Sequence, residues 1–272
     1  MSESTSFIYD EAYFDGPLVA WHKLSLPTFA AFLREVSAKA RPRRILDLGC
    51  GAGTYGQILR HMGDIVVGCE SAPEAVKRAQ TTGWYEQVLY LDLETVIAPQ
   101  LAGPYDLVFC TEVIEHLADE QRACRLMAEV IAPGGRLVLT TTTYHIYLFY
   151  YLLCAVPRQK GAYRNFFRGC WNDAAADRFV QTLWALTGGH YHGFRARRLL
   201  LCLTKNGFLI ERWNYTNVQP VFPLAPLEES RFHRGLWRML APVLKSVGRF
   251  INESCRRTNC YGANILVAAR KA

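Results

Sequence analysis

Several things are missing from this chain of 272 residues. There is no C-x-x-C pair. The nine cysteines stand at positions 50, 69, 110, 124, 154, 170, 202, 255 and 260, a spacing that suggests no zinc site. There is no apolar run long enough to span a bilayer. The longest, Ile146 to Val156 within YHIYLFYYLLCAVP, has 11 residues against the roughly 20 that a spanning helix needs. The opening stretch MSESTSFIYDEAYFDG lacks a basic segment followed by an apolar one, so no signal peptide is expected. Internal repeats, low-complexity linkers and any recognisable appended RNA-binding module are also absent. Cys69 and Cys110 sit in apolar runs and read as buried thiols of a reducing compartment. The expectation is a cytoplasmic protein, peripheral to a membrane if it meets one at all.

What is present suffices for a core. Half of the residues are hydrophobic and a fifth are charged, which excludes a disordered tail. The length allows one large domain or two small ones. The net charge of +7 hides an asymmetry: residues 1–143 carry 12 basic and 18 acidic side chains, a net of −6, whereas residues 144–272 carry 19 and 6, a net of +13. The second half is therefore expected to meet an anionic partner or surface.

Read along the chain, residues 1–42 form a helical leader, with Pro27 able to start a helix whose inner face is Phe29, Phe32, Leu33 and Val36. Short apolar runs at 45–48, 65–70, 87–93, 105–111 and 136–142 read as buried strands. Helices are expected between them: TYGQILRHM stopped by Gly63, one capped by Ser71 and Glu74 with Pro73 in its first turn, and 119–132 ended by Pro133-Gly134-Gly135. This alternation predicts a parallel sheet covered on both faces. Residues 144–193 break the pattern and read as an inserted helical cap with a helix at 173–187. Residues 194–272 add a helix ending before Gly207 and two more strands, FLIERWNYT and ANILVAAR. One domain with an inserted cap is the simplest organisation.

The run ILDLGCGAG, from Ile45 to Gly53, is strand, glycine turn and helix start. Glycines there let the backbone approach a ligand closely. Gly51-x-Gly53-x-x-Gly56 also satisfies a dinucleotide fingerprint, with Glu70 at the next strand end, so an NAD-dependent oxidoreductase stands as one alternative. The surroundings decide between them. ILDLGCGAG, Glu70, YLDLE, YDLVFCTEVIEHL and APGGRLVLTT occur in the order and spacing of class I S-adenosylmethionine (SAM)-dependent methyltransferases, which residues 43–143 therefore resemble; NGF and ANILVAARK match more weakly. The closest motif likeness is to the ubiquinone-biosynthesis-type O-methyltransferases.

That resemblance implies an α/β Rossmann-like fold with a seven-stranded, mostly parallel sheet whose last strand is antiparallel. It implies that Gly49, Gly51 and Gly53 pass beneath the methionine part of SAM, and that Asp47 anchors its amino group. Glu70 takes the ribose hydroxyls, Asp92 accepts from the adenine amine beside Leu93, and Cys110 and Thr111 offer backbone groups. The implied activity is methyl transfer to the oxygen of a phenolic, sugar or lipid-linked acceptor. The alternatives are RNA 2′-O-methylation and a SAM-binding protein without chemistry.

A hydroxyl acceptor must be deprotonated. The nearby histidines are His116, His145, His190 and His192. Glu112, Glu115 and His116, in TEVIEHL, converge if the segment is a tight turn into helix. Two subfamilies, the ubiquinone-biosynthesis O-methyltransferases and the small-RNA 3′-terminal 2′-O-methyltransferases, bind a divalent ion at such a set, and His190 is the best match for a further ligand. Mg²⁺, Mn²⁺ or Zn²⁺ would suit two carboxylates and two imidazoles; His190 as a plain general base and a structural role for these groups are the other readings. The aromatic run 144–157 reads as a lid, a core helix or a membrane contact, and 233–251 as a basic amphipathic helix. Arg164, Arg168, Arg195, Arg197 and Arg198 interleave with Tyr163, Phe166, Phe167 and Phe194, the pattern an RNA ligand would need.

Overall fold

Short, wholly apolar runs dictate the centre of the molecule, because a strand buried on both faces has no polar side to show. The computed structural model describes residues 30–35, 42–144, 168, 172–182, 189–216 and 264–272. Its strands are β1 (Arg44–Leu48), β2 (Ile65–Glu70), β3 (Gln87–Tyr90), β4 (Tyr105–Thr111), β5 (Ile131–Thr142), β6 (Phe208–Thr216) and β7 (Asn264–Lys271). They form one sheet in the order β3-β2-β1-β4-β5-β7-β6. The first five pair in parallel, and β7 runs antiparallel to both β5 and β6. The expected fold class is thus the observed one.

Side chains alternate across the sheet into two layers. On one face Leu46, Val108, Leu137 and Val267 pack against α3 (Glu120–Val130) and α5 (Ala196–Lys205). On the other, Ile45, Phe109, Val138 and Leu266 pack against α1 (Gly56–Met62) and the helical stretch 30–35, where Phe32 and Leu33 are buried. Phe29 and Val36 of the expected inner stripe lie outside the described residues. Two shorter helices complete the set, α2 (Pro73–Thr81) and α4 (Asp173–Thr182). The strand order reverses between β1 and β4, so a crevice opens at their carboxyl ends, where an open α/β sheet holds its ligands.

The boundaries differ from expectation in four places. The third strand ends at Tyr90, because Asp92 folds back: its Oδ1 accepts from Glu94 N at 2.9 Å and its carbonyl from Val96 N at 2.8 Å. The fifth strand begins early, at Ile131, with Pro133-Gly134-Gly135 carried as an irregularity between the Tyr105 and Leu107 pairings; α3 accordingly stops at Val130. The cap built on Ser71 does not form. Ala72 occupies the N-cap position, and the Glu70 carboxylate accepts from Ser71 N and Ala72 N instead. Gly63 ends α1 in an extended conformation rather than a left-handed one.

Of the aromatic run 144–157 only Tyr144 is described. It is fully buried, edge-on to Phe179 at 6.0 Å, so this residue belongs to the core. The remainder of that run, residues 183–187 of the expected cap helix, and the basic stretch 233–251 lie outside the described residues. No described helix is long and apolar enough to cross a membrane.

Candidate functional site

The glycine turn follows β1 directly. Gly49, Gly51 and Gly53 all take positive φ, at 75°, 54° and 84°. Gly49 is doubly constrained, since a Cβ there would lie 2.3 Å from a methyl of Val113, besides the cost of a left-handed backbone. Gly49 N and Cys50 N donate to the Cys69 carbonyl at 2.8 and 3.0 Å, and Gly51 N donates to Glu70 Oε2 at 2.9 Å. The tips of β1 and β2 are thereby tied into one rim.

Asp47 lies beneath that rim, 1% exposed. Its Oδ2 accepts from the Tyr85 hydroxyl at 2.7 Å. Burial pushes its pKa up to about 7, opposed by the Tyr85 hydrogen bond and reinforced by the charge of Glu70. Asp92 is exposed just beyond β3, and Leu93 beside it is buried. Ionised Asp47 therefore costs the fold stability. Because its folded value exceeds the unfolded one, the cost grows as pH rises to about 7 and is constant above. Asp47→Asn removes it. Without ligand, the stability advantage of that variant should widen by about 1 kcal/mol between roughly pH 6 and 7. Denaturation midpoints with a pH-independent gap would contradict the burial cost.

At the end of β4, Cys110 and Thr111 are buried, and Glu112 turns sharply with φ 53°. A single helical turn, Ile114–His116, follows. Glu115 is fully buried. Its Oε2 accepts from Thr141 Oγ1 at 2.8 Å, while Oε1 has no donor among the described residues. Its carbonyl accepts from Tyr191 N at 2.7 Å, which brings the 189–194 segment over the turn. The His116 and His190 rings then meet edge-on, with centroids 4.4 Å apart. Donor atoms of Glu115, His116 and His190 all lie within 4.8 Å of one another. Burial, with His116 alongside, holds the His190 imidazole well below its usual pKa. Burial and the neighbouring Glu112 push Glu115 well above the usual carboxylate range.

Glu112 does not join this cluster as expected. Its two oxygens accept from Thr140 Oγ1 and Asn264 Nδ2, each at 2.8 Å, which turns it toward β5 and β7. His192 points elsewhere too, into a buried network. The Arg198 guanidinium reaches Asp177 at 2.6 Å and Glu120 at 2.7 Å. His192 Nδ1 lies 3.4 Å from Asp177, and Gly193 N donates to Asp177 at 3.2 Å. Burial raises the Asp177 carboxyl, but hydrogen bonds from His192 and Arg198 outweigh it and leave the group below its usual value. Arg198 is thus spoken for, Arg195 pairs with Asp173, and Phe194 is fully buried. Of the four described arginines in the set proposed to meet RNA, Arg198 is turned inward, Arg195 is paired with the half-exposed Asp173, and Arg168 and Arg197 are exposed. His145, Arg164, Tyr163, Phe166 and Phe167 lie outside the described residues.

Three features of this region leave little trace in the sequence. Tyr85 sits in the loop before β3, with no motif around it. Thr140 meets Glu112 through the pairing of β5 with β4, and Asn264 reaches it because β7 inserts beside β5.

A family model for a methyltransferase domain matches residues 20–212. The chain is 29% identical over 153 residues to a ubiquinone biosynthesis O-methyltransferase of Bordetella avium, covering 52% of this chain and 63% of that protein. It is 35% identical over 133 residues to the protein of the same name from Xanthomonas axonopodis pv. citri, covering 47% and 54%. The chain thus spans little more than half the length of these curated relatives. A crystal structure of an S-adenosylmethionine dependent methyltransferase from Mesorhizobium loti superposes with a TM-score of 0.54 at 22% identity, over 91% of this chain and 97% of that one.

Proposed function

The chain belongs to the methyltransferase domain family, and from that premise we propose that it transfers the methyl group of SAM to a hydroxyl oxygen of a small acceptor, phenolic, sugar or lipid-linked. The observation that carries this reading is the rim itself: three left-handed glycines between two buried strands, with Asp47 beneath and the Glu70 carboxylate at its edge. SAM supplies a methyl already activated by its sulfonium, so the protein must bind, align and deprotonate.

The turn at Gly49, Gly51 and Gly53 passes beneath the methionine part, and Asp47 faces its ammonium. Glu70 faces the ribose hydroxyls through Oε2, which accepts only from Gly51 N and keeps a lone pair, whereas Oε1 is taken by Ser71 N and Ala72 N. Asp92 and Leu93 flank adenine, and the backbone at Cys110 and Thr111 closes the lip. His190, held neutral, accepts the acceptor's proton. The names of the two curated relatives support oxygen as the methylated atom. The inward-turned Arg198 and Phe194 weigh against RNA.

A second reading has one specific observation behind it. Glu115, His116 and His190 converge, and Glu115 Oε1 is a buried acceptor without a donor. A divalent ion held by these three, without Glu112, would lower the acceptor hydroxyl's pKa.

The first test is binding. S-adenosylhomocysteine should bind the unmodified protein in calorimetry. Glu70→Ala should lose roughly 1.5–3 kcal/mol, about 10- to 150-fold, the worth of hydrogen bonds to a charged group. Unchanged affinity in that variant would remove Glu70 from the ribose.

A further inference from the structure

Tyr85 belongs to no motif, yet it contacts the centre of the proposed cofactor site. Its hydroxyl is the one side-chain hydrogen bond donor to Asp47 among the described residues. Its ring packs against the backbone of three glycines. A Cβ at Gly56 would lie 2.7 Å from Tyr85 Cε2, one at Gly53 3.2 Å from the same atom, and one at Gly68 3.2 Å from Cδ1. Three glycines, from the turn, the start of α1 and the middle of β2, thus leave a slot that this ring fills. The neighbouring backbone is pinned as well, with Glu86 N donating to the Val66 carbonyl at 2.8 Å. A hydroxyl on a clamped ring has a fixed direction, and so has the carboxylate that accepts from it.

Among the described residues, no positively charged group is coupled to Asp47. The titratable groups whose charge it feels or affects are Glu70, Cys50, Tyr55, Cys69, Cys110 and Tyr85 itself. All of them are acids or thiols. A buried carboxylate with one oxygen held by a neutral donor and no cation beside it is incomplete by the ordinary rules of burial. What would complete it is a positively charged ligand group. Tyr85 takes Oδ2, so the other oxygen is the one such a group would reach.

We infer that Tyr85 is the positioning residue for the amino-acid end of the cofactor, aiming the Asp47 carboxylate at the ligand's ammonium group. The inference rests on the SAM reading of the site and deepens it. Tyr85 does not touch the reacting atoms; it acts through Asp47.

The test separates that role from simple packing. Two ligands are compared by calorimetry: S-adenosylhomocysteine, which carries the ammonium, and methylthioadenosine, which has the same adenosine and thioether but no amino-acid group. Tyr85→Phe keeps the ring in its slot and deletes only the hydroxyl. It should weaken S-adenosylhomocysteine by about tenfold and leave methylthioadenosine within twofold. Tyr85→Leu empties the slot and should weaken both, with a lower melting temperature. Equal losses for the two ligands in Tyr85→Phe would reduce the residue to a floor for the glycine turn and overturn the inference, as would no loss for either. If the unmodified protein binds methylthioadenosine and S-adenosylhomocysteine equally well, the ammonium has no receptor and the inference fails while the cofactor site stands. If it binds neither, the SAM reading fails and takes this inference with it.

Discussion

Replacing Arg198 with methionine should cost the fold about 3–5 kcal/mol, because it leaves two buried carboxylates facing each other without their cation. The guanidinium reaches both Asp177 and Glu120, and all three side chains are less than a fifth exposed, at 11%, 19% and 14%. Solvent can therefore do little to compensate. The acid side follows with a definite sign. Asp177 is held below its usual value, so in the parent protein its stabilising contribution is present above about pH 4 and is lost as pH falls through the lower folded value. In Arg198→Met the main opposing cation is gone, and the folded carboxylates should bind protons more readily than unfolded ones. The gap between variant and parent should thus shrink from pH 8 to pH 5. Urea unfolding at both values is the measurement. A cost under about 1 kcal/mol, or a gap that grows toward acid, would mean that the carboxylates find other partners. Turnover should fall as well, since Asp177 also holds Gly193, three residues beyond His190.

Folding gives two of the arginines acidic partners that the sequence alone does not show. Arg195 and Arg198, interleaved with Phe194, look like a nucleic-acid surface when charge is counted locally. Their partners Asp173, Asp177 and Glu120 come from helices 21 to 78 positions away, and only folding brings them in. The sheet was far more legible. A run such as YDLVFCT is buried at nearly every position, so its hydrophobicity and its role coincide, and β2, β4 and β6 fall where the pattern puts them. Boundaries failed where a side chain competes for backbone groups: Asp92 ends β3 with its own turn, and Glu70 displaces Ser71 as the acceptor at the start of α2.

Glu112 shows the same limit inside the site. Three-residue spacing brings it onto the side of Glu115 if the helix begins at once. The chain instead takes a left-handed step at Glu112 before the helical turn starts. Its carboxylate is captured by Asn264, 152 positions later. His190 is the opposite case. Its separation from His116 is long, but GGHYHGF was recognisable by family pattern, and the backbone bond from Tyr191 to Glu115 delivers it.

His190 carries the largest expected effect on chemistry. The imidazole is neutral because burial and the adjacent His116 disfavour its charged form, and a neutral ring can either take a proton or donate a lone pair to a cation. His190→Ala should therefore lower kcat by roughly 10²- to 10⁴-fold, while S-adenosylhomocysteine affinity stays within twofold, since the residues proposed to hold the cofactor, from the glycine turn, Asp47 and Glu70 to Asp92, Leu93, Cys110 and Thr111, do not include it. Chelation separates the two uses. An ion shared by Glu115, His116 and His190 needs each donor about 2.0–2.3 Å from one point, which atoms within 4.8 Å of one another can meet. If it is there, exhaustive EDTA treatment abolishes turnover, added Mg²⁺, Mn²⁺ or Zn²⁺ restores it, and Glu115→Gln raises the ion concentration required. If turnover survives chelation while His190→Ala still abolishes it, His190 is a general base and Glu115 is structural. If neither treatment slows the reaction, both assignments fall. The nucleophile is then an amine or an oxygen that arrives already ionised, and the oxygen-acceptor reading must be judged on the product's methylated atom.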